Sequence, residues 1–217
     1  MIVLQEPMWW YNILMFLNEY MKYHETLLWL VPITADIFVF FYPVLLILLY
    51  IYWILKKDSF YKKSALWVFW AGILSAIFNV FSQFFFDKAR PNIVLWLIDN
   101  KAETVLHTYL PTSSFPSDHS AMWMSIAMWL LLWGYKNKDK KFIFVWWIFF
   151  FFALLMWISR IMVAVHWPTD VISWFIVWIL IPVLLFQKII YKKIEKILIN
   201  PIVNLQKRIW KMFWVKY

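Results

Sequence analysis

The chain has 217 residues, of which 65% are hydrophobic, 23% are aromatic and only 15% are charged. Because an ordinary soluble domain carries roughly 25% charged residues, this composition excludes a water-soluble globular protein. Cysteine is absent, which excludes disulfides, thiolate metal sites and a cysteine nucleophile. The formal net charge of +9 is spread over the predicted helix ends, so it indicates contact with anionic membrane lipids and no nucleic-acid partner.

The apolar residues form blocks long enough to cross a hydrocarbon core of about 30 Å. Before these blocks, residues 8–21 carry apolar side chains at helical spacing, which predicts an amphipathic interfacial helix. The pattern predicts five membrane spans, at residues 33–55, 64–86, 119–135, 142–158 and 171–190. Residues 192–217 have the pattern of a basic amphipathic helix. We therefore predict an all-α polytopic membrane bundle of five to six transmembrane helices, with interfacial amphipathic helices at both ends.

The chain is predicted to form one domain over residues 1–217, because it is too short for a bundle and a separate soluble domain. It divides into an N-terminal interfacial or spanning segment at 1–32, a bundle with the candidate catalytic residues at 33–190, and a basic tail at 191–217. Sixteen of the 21 Lys and Arg residues lie in the segment from Lys188 onward and in two short connections, at 56–63 and 136–141. By the positive-inside rule, the C-terminus is cytoplasmic and the long loop at 87–117 faces outward.

Polar residues, which are costly in such a chain, gather at three points on the predicted outer face. The first point is the end of the second span. Gln83, Asp87 and Arg90 are spaced so that they share one helical face if this helix continues to the proline that follows.

The second point is the end of the long loop at 87–117, and loops of this length are usually functional. Ser117, Asp118 and His119 stand where the third span begins. Either of the first two residues is a suitable helix cap, and the unsatisfied N–H groups of a helix start form an anion site.

The third point is the junction of the last two spans, where Arg160 is followed by His166 and Asp170. If this junction is helical, the carboxylate holds the imidazole from one side. Arginine presents a planar fork to phosphate oxygens. An oriented histidine is a competent nucleophile, and a second histidine can protonate the departing oxygen. The residues therefore predict phosphoryl transfer through a phosphohistidine, with no metal site and no other cofactor.

Another acid lies apart from these three points. Asp36 is inside the first predicted span, where an ionisable residue is a functional candidate by default. Because it lies about one turn from the outer end, we expect it to form a hydrogen bond or to reach the interface.

The three points resemble the signature motifs of the type 2 phosphatidic acid phosphatase superfamily, which are K-x6-R-P, P-S-G-H and S-R-x5-H-x3-D. This sequence has R-P at 90–91, P-S-D-H at 116–119 and S-R-x5-H-x3-D at 159–170. The P-S-D-H string is similar to that of the bacitracin-resistance branch, the undecaprenyl-pyrophosphate phosphatases. The three motifs also stand in the order that the superfamily has.

The resemblance implies a role for each matching residue. His166 would be the nucleophile, Asp170 its orienting partner and His119 the general acid for the lipid leaving group. Arg90 and Arg160 would clamp the phosphate.

The remaining candidates are substrate-binding residues. Ser117 and the backbone near Asp118 would complete the site for transition-state charge. Gln83 stands where the superfamily has its first lysine, and a glutamine donates hydrogen bonds without carrying charge. Lys88 is the nearby cation that could compensate, although it lies about 140° away from Gln83 around an ideal helix.

The resemblance implies hydrolysis of undecaprenyl pyrophosphate to undecaprenyl phosphate on the outer face of a bacterial cytoplasmic membrane. This reaction would recycle the carrier lipid for cell-wall synthesis. Phosphatidylglycerophosphate and phosphatidic acid are alternative substrates, because the three motifs contact the phosphate and not the lipid tail. A non-catalytic membrane binding or scaffold protein is the alternative from a different class. The oligomeric state does not follow from the sequence.

Overall fold

The computed structural model describes residues 2–3, 6–56, 59–95, 113–115 and 117–214. The helices are α1 (Met8–Lys22), α2 (Glu25–Ile37), α3 (Phe41–Lys56), α4 (Ser59–Gln83), α5 (Pro91–Leu95), α6 (Asp118–Asn137), α7 (Lys140–Met162), α8 (Pro168–Leu185), α9 (Lys188–Ile194) and α10 (Asn200–Trp214). A 3₁₀ turn at Phe38–Phe40 joins α2 to α3, and a π-helical turn at Glu195–Ile199 joins α9 to α10. Two short strands, β1 (Ile2–Val3) and β2 (Phe86–Asp87), pair in parallel. The predicted all-α class is confirmed.

Several helices suit a bilayer by length and composition. Within the described part of the chain, Phe60–Gln83 and Lys140–Met162 are each long and apolar enough to cross a membrane. The consecutive helices Glu25–Ile37 and Phe41–Tyr52, bent by 49° at their junction, form a third candidate. These helices confirm the membrane-bundle class, whereas the count of five to six spans stays a prediction.

The helices that contain the first and last predicted spans begin earlier than those spans. Pro32, which precedes the first predicted span, lies inside α2, because α2 packs against α7 along Val31 and Ala35 and this burial outweighs one lost backbone hydrogen bond. The last predicted span begins at residue 171, whereas helix α8 begins at Pro168. Proline is favourable in the first helical turn, and the Asp170 carboxylate accepts the Trp167 N–H at 2.9 Å, which caps the helix.

The centre of the bundle is helix α6, which packs against α4, α7 and α8. Large aromatic side chains fill these contacts: Trp67, Trp123 and Trp129 are each at most 1% exposed. The Trp67 ring stacks on Trp129 at 4.5 Å and on Tyr191 at 4.9 Å between ring centroids. A close-packed core of this kind resists deformation, so it holds the ends of α6, α7 and α8 in fixed positions.

Both glycines of the chain lie where elements approach closely. A Cβ atom added at Gly134 would lie 2.8 Å from Cγ1 of Ile143 and 3.1 Å from its backbone nitrogen. A Cβ atom at Gly72 would lie 2.6 Å from the hydroxyl oxygen of Tyr42. The hydroxyl end of a tyrosine can shift, whereas the backbone at the start of α7 cannot.

We therefore expect Gly134→Ala to destabilise the protein by about 1–3 kcal/mol, as overpacking of a close contact does. Gly72→Ala, the matched variant in the same bundle, should cost less, because only a side chain must yield. Thermal unfolding of both variants in detergent measures the difference. Equal melting temperatures for Gly134→Ala and the unmodified protein would contradict this account of the α6–α7 contact.

Candidate active site

The site is built on the connection between α7 and α8. Helix α7 continues to Met162, which places Arg160 in its last turn. Ala164 has φ +54°, a left-handed conformation that is uncommon for residues other than glycine, and the Val165 N–H bonds back to the Arg160 carbonyl at 3.2 Å. This tight reversal brings His166 back to Arg160, so that Nε2 and Nη2 lie 3.1 Å apart.

The hydrogen bonds of His166 define its protonation state. Its Nδ1 lies 2.7 Å from the carbonyl oxygen of Ser114, and its Nε2 faces Nη2 of Arg160. A carbonyl only accepts and a guanidinium only donates. His166 is therefore the neutral tautomer with its hydrogen on Nδ1 and its lone pair on Nε2, which is the form that a nucleophile requires.

Asp170 lies beside His166 without the direct hydrogen bond that a helical junction would give. Its Oδ2 is 3.9 Å from Nδ1 of His166, because residues 163–167 are not helical. Oδ2 instead accepts hydrogen bonds from the Ser114 hydroxyl and from the Trp167 N–H. Ser114 therefore connects the two residues, with its carbonyl on the imidazole and its hydroxyl on the carboxylate. The orienting role of Asp170 stays a prediction.

Arg160 is 1% exposed and is held by helix α2. Its Nη1 donates to Oδ1 of Asp36 at 3.0 Å and to the carbonyl of Ala35 at 3.2 Å. The expectation that Asp36 forms a hydrogen bond is confirmed, and its partner is a candidate catalytic-site arginine.

Arg90 and its neighbours contact the turn that precedes His166. Its Nη1 donates to the Val165 carbonyl at 3.1 Å, and the Asn92 N–H donates to the Ala164 carbonyl at 2.9 Å. Arg90 is 4% exposed. The segment around Arg90 and the turn before His166 are thereby fixed to each other, which places both arginines at one site.

Lys88 belongs to this site through Asp170. Its Nζ donates to Oδ1 of Asp170, to Oγ1 of Thr169 and to Oε2 of Glu6, each at 2.7 Å. These three acceptors use all three protons of the ammonium group. In this structure Lys88 holds the Asp170 carboxylate, and its contact with substrate stays a prediction.

The shared helical face predicted for Gln83, Asp87 and Arg90 is wrong. Helix α4 ends at Gln83, and Asp87 lies in strand β2. Strand β2 forms its backbone hydrogen bonds with β1 instead of within a helix. The three consecutive phenylalanines after Gln83 also favour an extended strand, because aromatic residues are enriched in strands. Gln83 and Lys88 therefore do not lie on one helix, so no helical rotation separates them, and substrate binding by Gln83 stays a prediction.

The start of α6 carries the second motif. Ser117 is buried and is the N-cap residue, with an extended backbone and a carbonyl that accepts the Ala121 N–H at 3.0 Å. The backbone of Asp118 and His119 forms the first turn of α6, but their side chains lie outside the described part of the structure. The roles of these three residues stay predictions.

Four contributors were not among the predicted site residues: Glu6, Asp36, Ser114 and Thr169. Glu6 and Thr169 contact Lys88 and each other. Ser114 lies in a Ser/Thr cluster of the long loop, which gives no signal for one particular hydroxyl. Only Asp36 carried a usable signal, since an acid within an apolar span needs a partner.

Comparisons with known proteins agree with the location of these motifs. Residues 64–193 match the family model described as the PAP2 superfamily. The chain is 29% identical over 153 residues to undecaprenyl-diphosphatase BcrC of Bacillus subtilis (strain 168), which covers 69% of this chain and 67% of that protein. No solved structure matches the chain.

Proposed function

Because the chain belongs to the PAP2 superfamily and is a lipid phosphatase, we propose that it hydrolyses undecaprenyl pyrophosphate to undecaprenyl phosphate. The similarity to an undecaprenyl-diphosphatase supports this substrate. The observation that carries the chemistry is the pairing of Nε2 of His166 with Nη2 of Arg160 at 3.1 Å. This contact supports a site in which a lone pair for attack and a guanidinium for phosphate binding lie side by side.

The proposed reaction has two steps. Nε2 of His166 attacks the terminal phosphorus, the bond to the bridging oxygen breaks, and undecaprenyl phosphate leaves with a proton from His119. The phosphoryl group then resides on His166. Water attacks the phosphohistidine while His119 takes its proton, which releases inorganic phosphate and restores the neutral imidazole.

The surrounding residues have distinct parts in this proposal. Arg90 and Arg160 bind the phosphoryl oxygens, because a guanidinium fork fits them and keeps its charge. Ser117 and the N–H groups at the start of α6 near Asp118 stabilise the charge that develops in the transition state. Asp170 acts on His166 through Ser114, which touches both residues.

We also propose an orientation in a bacterial cytoplasmic membrane. The excess of Lys and Arg in the tail and in the short connections supports a cytoplasmic C-terminus. The site would then face the periplasm or the cell exterior, where hydrolysis would recycle the carrier lipid for cell-wall synthesis. Labelling of single cysteines, introduced at the exposed positions Lys138 and His24 in this cysteine-free chain, by a membrane-impermeant reagent should modify only the second in intact cells.

The substrate is tested by phosphate release from undecaprenyl pyrophosphate, phosphatidylglycerophosphate and phosphatidic acid, with purified protein in detergent and EDTA. We expect the first lipid to be the preferred substrate and EDTA to leave the activity intact. Preference for a glycerolipid would retain the chemistry and move the protein to phospholipid metabolism. Release from none of the three would contradict the proposal.

The link between Ser114 and Asp170 predicts a measurable loss of activity. Ser114→Ala removes the hydroxyl on Asp170 but keeps the carbonyl on His166, so we expect kcat to fall by about tenfold, as a lost charge-assisted hydrogen bond would cause. Ser113→Ala is the matched control, because the Ser113 hydroxyl contacts the Lys88 N–H and the Phe115 carbonyl instead of His166 or Asp170. Equal kcat values for the two variants would rule out a relay through Ser114.

A further inference from the structure

Part of the candidate site comes from outside the family match. The matched range begins at residue 64, so α1, α2 and α3 precede it. Helices α1 and α2 nevertheless pack against α7, which carries Arg160. The N-terminal region is therefore a structural neighbour of the reaction centre.

Within the described part of the chain, side-chain hydrogen bonds and an ion pair join this region to the last turns of α7. The Asn18 side-chain amide donates to the Met162 carbonyl at 2.7 Å. The hydroxyls of Thr34 and Ser159 lie 2.7 Å apart. Nη1 of Arg160 donates to the Ala35 carbonyl at 3.2 Å and forms an ion pair with Asp36 at 3.0 Å, so Asp36 supplies a charged partner for an arginine of the site.

The Asp36 carboxylate compensates the buried positive charge of Arg160. The guanidinium is 1% exposed, and a buried charge is strongly unfavourable unless an opposite charge and hydrogen bonds compensate it. Asp36 supplies the charge and Ala35 supplies a carbonyl, both from α2 and both to Nη1. Helix α2 therefore stabilises the arginine in its buried position.

The same contact also fixes the direction of Arg160. A guanidinium is planar and rigid, so holding Nη1 sets where Nη2 lies. In this structure Nη2 lies 3.1 Å from Nε2 of His166, the nitrogen to which the phosphoryl group would bond, so a phosphoryl oxygen would take over the Nη2 hydrogen bond as the lone pair attacks. A displacement of about 1 Å at such a centre can cost roughly a hundredfold in rate.

We infer that Asp36 is a positioning residue, which holds Arg160 so that its Nη2 edge meets the phosphoryl group at His166. This inference rests on the proposed function. It assigns part of the phosphate site to the N-terminal region that precedes the family match.

Orthovanadate, which mimics a phosphoryl group in transfer, tests the inference in the full-length protein. Its affinity is measured by inhibition and by tryptophan fluorescence for the unmodified protein, Asp36→Asn, Asp36→Glu and Thr34→Val. Asp36→Asn removes the charge at nearly constant shape, and Asp36→Glu keeps the charge one methylene further out. Thr34→Val is the matched control, since it removes a contact between the same two helices without changing a charge. KM, kcat and melting temperature are recorded for each protein.

We expect Asp36→Asn to weaken vanadate binding at least tenfold and to raise KM, whereas Thr34→Val stays within twofold of the unmodified protein. The vanadate affinity of Asp36→Glu should lie between the affinities of Asp36→Asn and Thr34→Val. Vanadate affinity of Asp36→Asn within twofold of Thr34→Val would overturn the inference. If Asp36→Asn does not fold, unchanged affinity in Asp36→Glu would overturn it, and a loss of several-fold there would support it. An unmodified protein that neither binds vanadate nor releases phosphate would overturn the proposed function, and this inference with it.

Discussion

His166→Ala is expected to reduce phosphate release by at least about 10⁴-fold, because removal of a catalytic nucleophile has effects of this size or larger. The variant has no nitrogen to accept the phosphoryl group. Both arginines keep their contacts with α2 and with the Val165 carbonyl, so the substrate should still bind. Single-turnover phosphate release from undecaprenyl pyrophosphate measures the loss.

His24→Ala is the matched control for this experiment. His24 is exposed, and its Nδ1 contacts the Tyr20 carbonyl at the end of α1. We expect its activity to stay within about twofold of the unmodified protein, since exposed side chains contribute little. Residual activity above one-tenth in His166→Ala would show that another group attacks the phosphorus.

Arg160→Lys is expected to lower kcat/KM by about 10²–10³-fold, as loss of one positioned hydrogen-bond donor to the transition state does. Lysine keeps the positive charge beside Asp36, so most of the ion-pair energy remains. Its single nitrogen cannot bond Asp36 and reach His166 at the same time, as the two ends of the guanidinium do. Steady-state kinetics measure the loss of catalysis, and thermal unfolding measures any loss of stability from the altered ion pair.

The outcome for Arg160→Lys is judged against Arg208→Lys, a substitution of an exposed arginine on α10. The control should retain its activity and its melting temperature. Wild-type kcat/KM in Arg160→Lys would mean that charge alone suffices and that the fork geometry has no part in catalysis.

Helix α6 shows which features of the fold follow from the sequence. Its predicted range, 119–135, differs by one residue at the start and two at the end from Asp118–Asn137. A Pro-Ser-Asp start, a long apolar run and lysines at the end are all local signals. Such signals suffice because a helix forms its backbone hydrogen bonds within its own segment.

The end of α4 shows what local signals miss. The apolar run continues to residue 86, but the helix stops at Gln83 because β2 pairs with residues 2–3, more than eighty positions away. Strand pairing depends on a distant partner, and no pattern within residues 64–86 reports it. The contacts of Asp36 with Arg160 and of Glu6 with Lys88 are of the same kind, spanning 124 and 82 positions.

The site itself was partly predictable. Motif order was enough to group Arg90, Arg160, His166 and Asp170, and the structure places all four around one turn. The hydrogen bonds among them were not predictable, because spacing rules assumed a helix where the chain makes a left-handed turn at Ala164. The unforeseen carbonyl of Ser114 takes the place of a carboxylate on the imidazole.

The most direct test of the account is to trap the phosphorylated protein. Undecaprenyl pyrophosphate labelled at its terminal phosphorus is mixed with excess protein. The reaction is quenched in alkali within milliseconds, and the labelled peptide is then sequenced by mass spectrometry. The proposed mechanism predicts label on His166 that appears before free phosphate and is absent from His166→Ala. Turnover without any labelled protein, or label on a different residue, would contradict it.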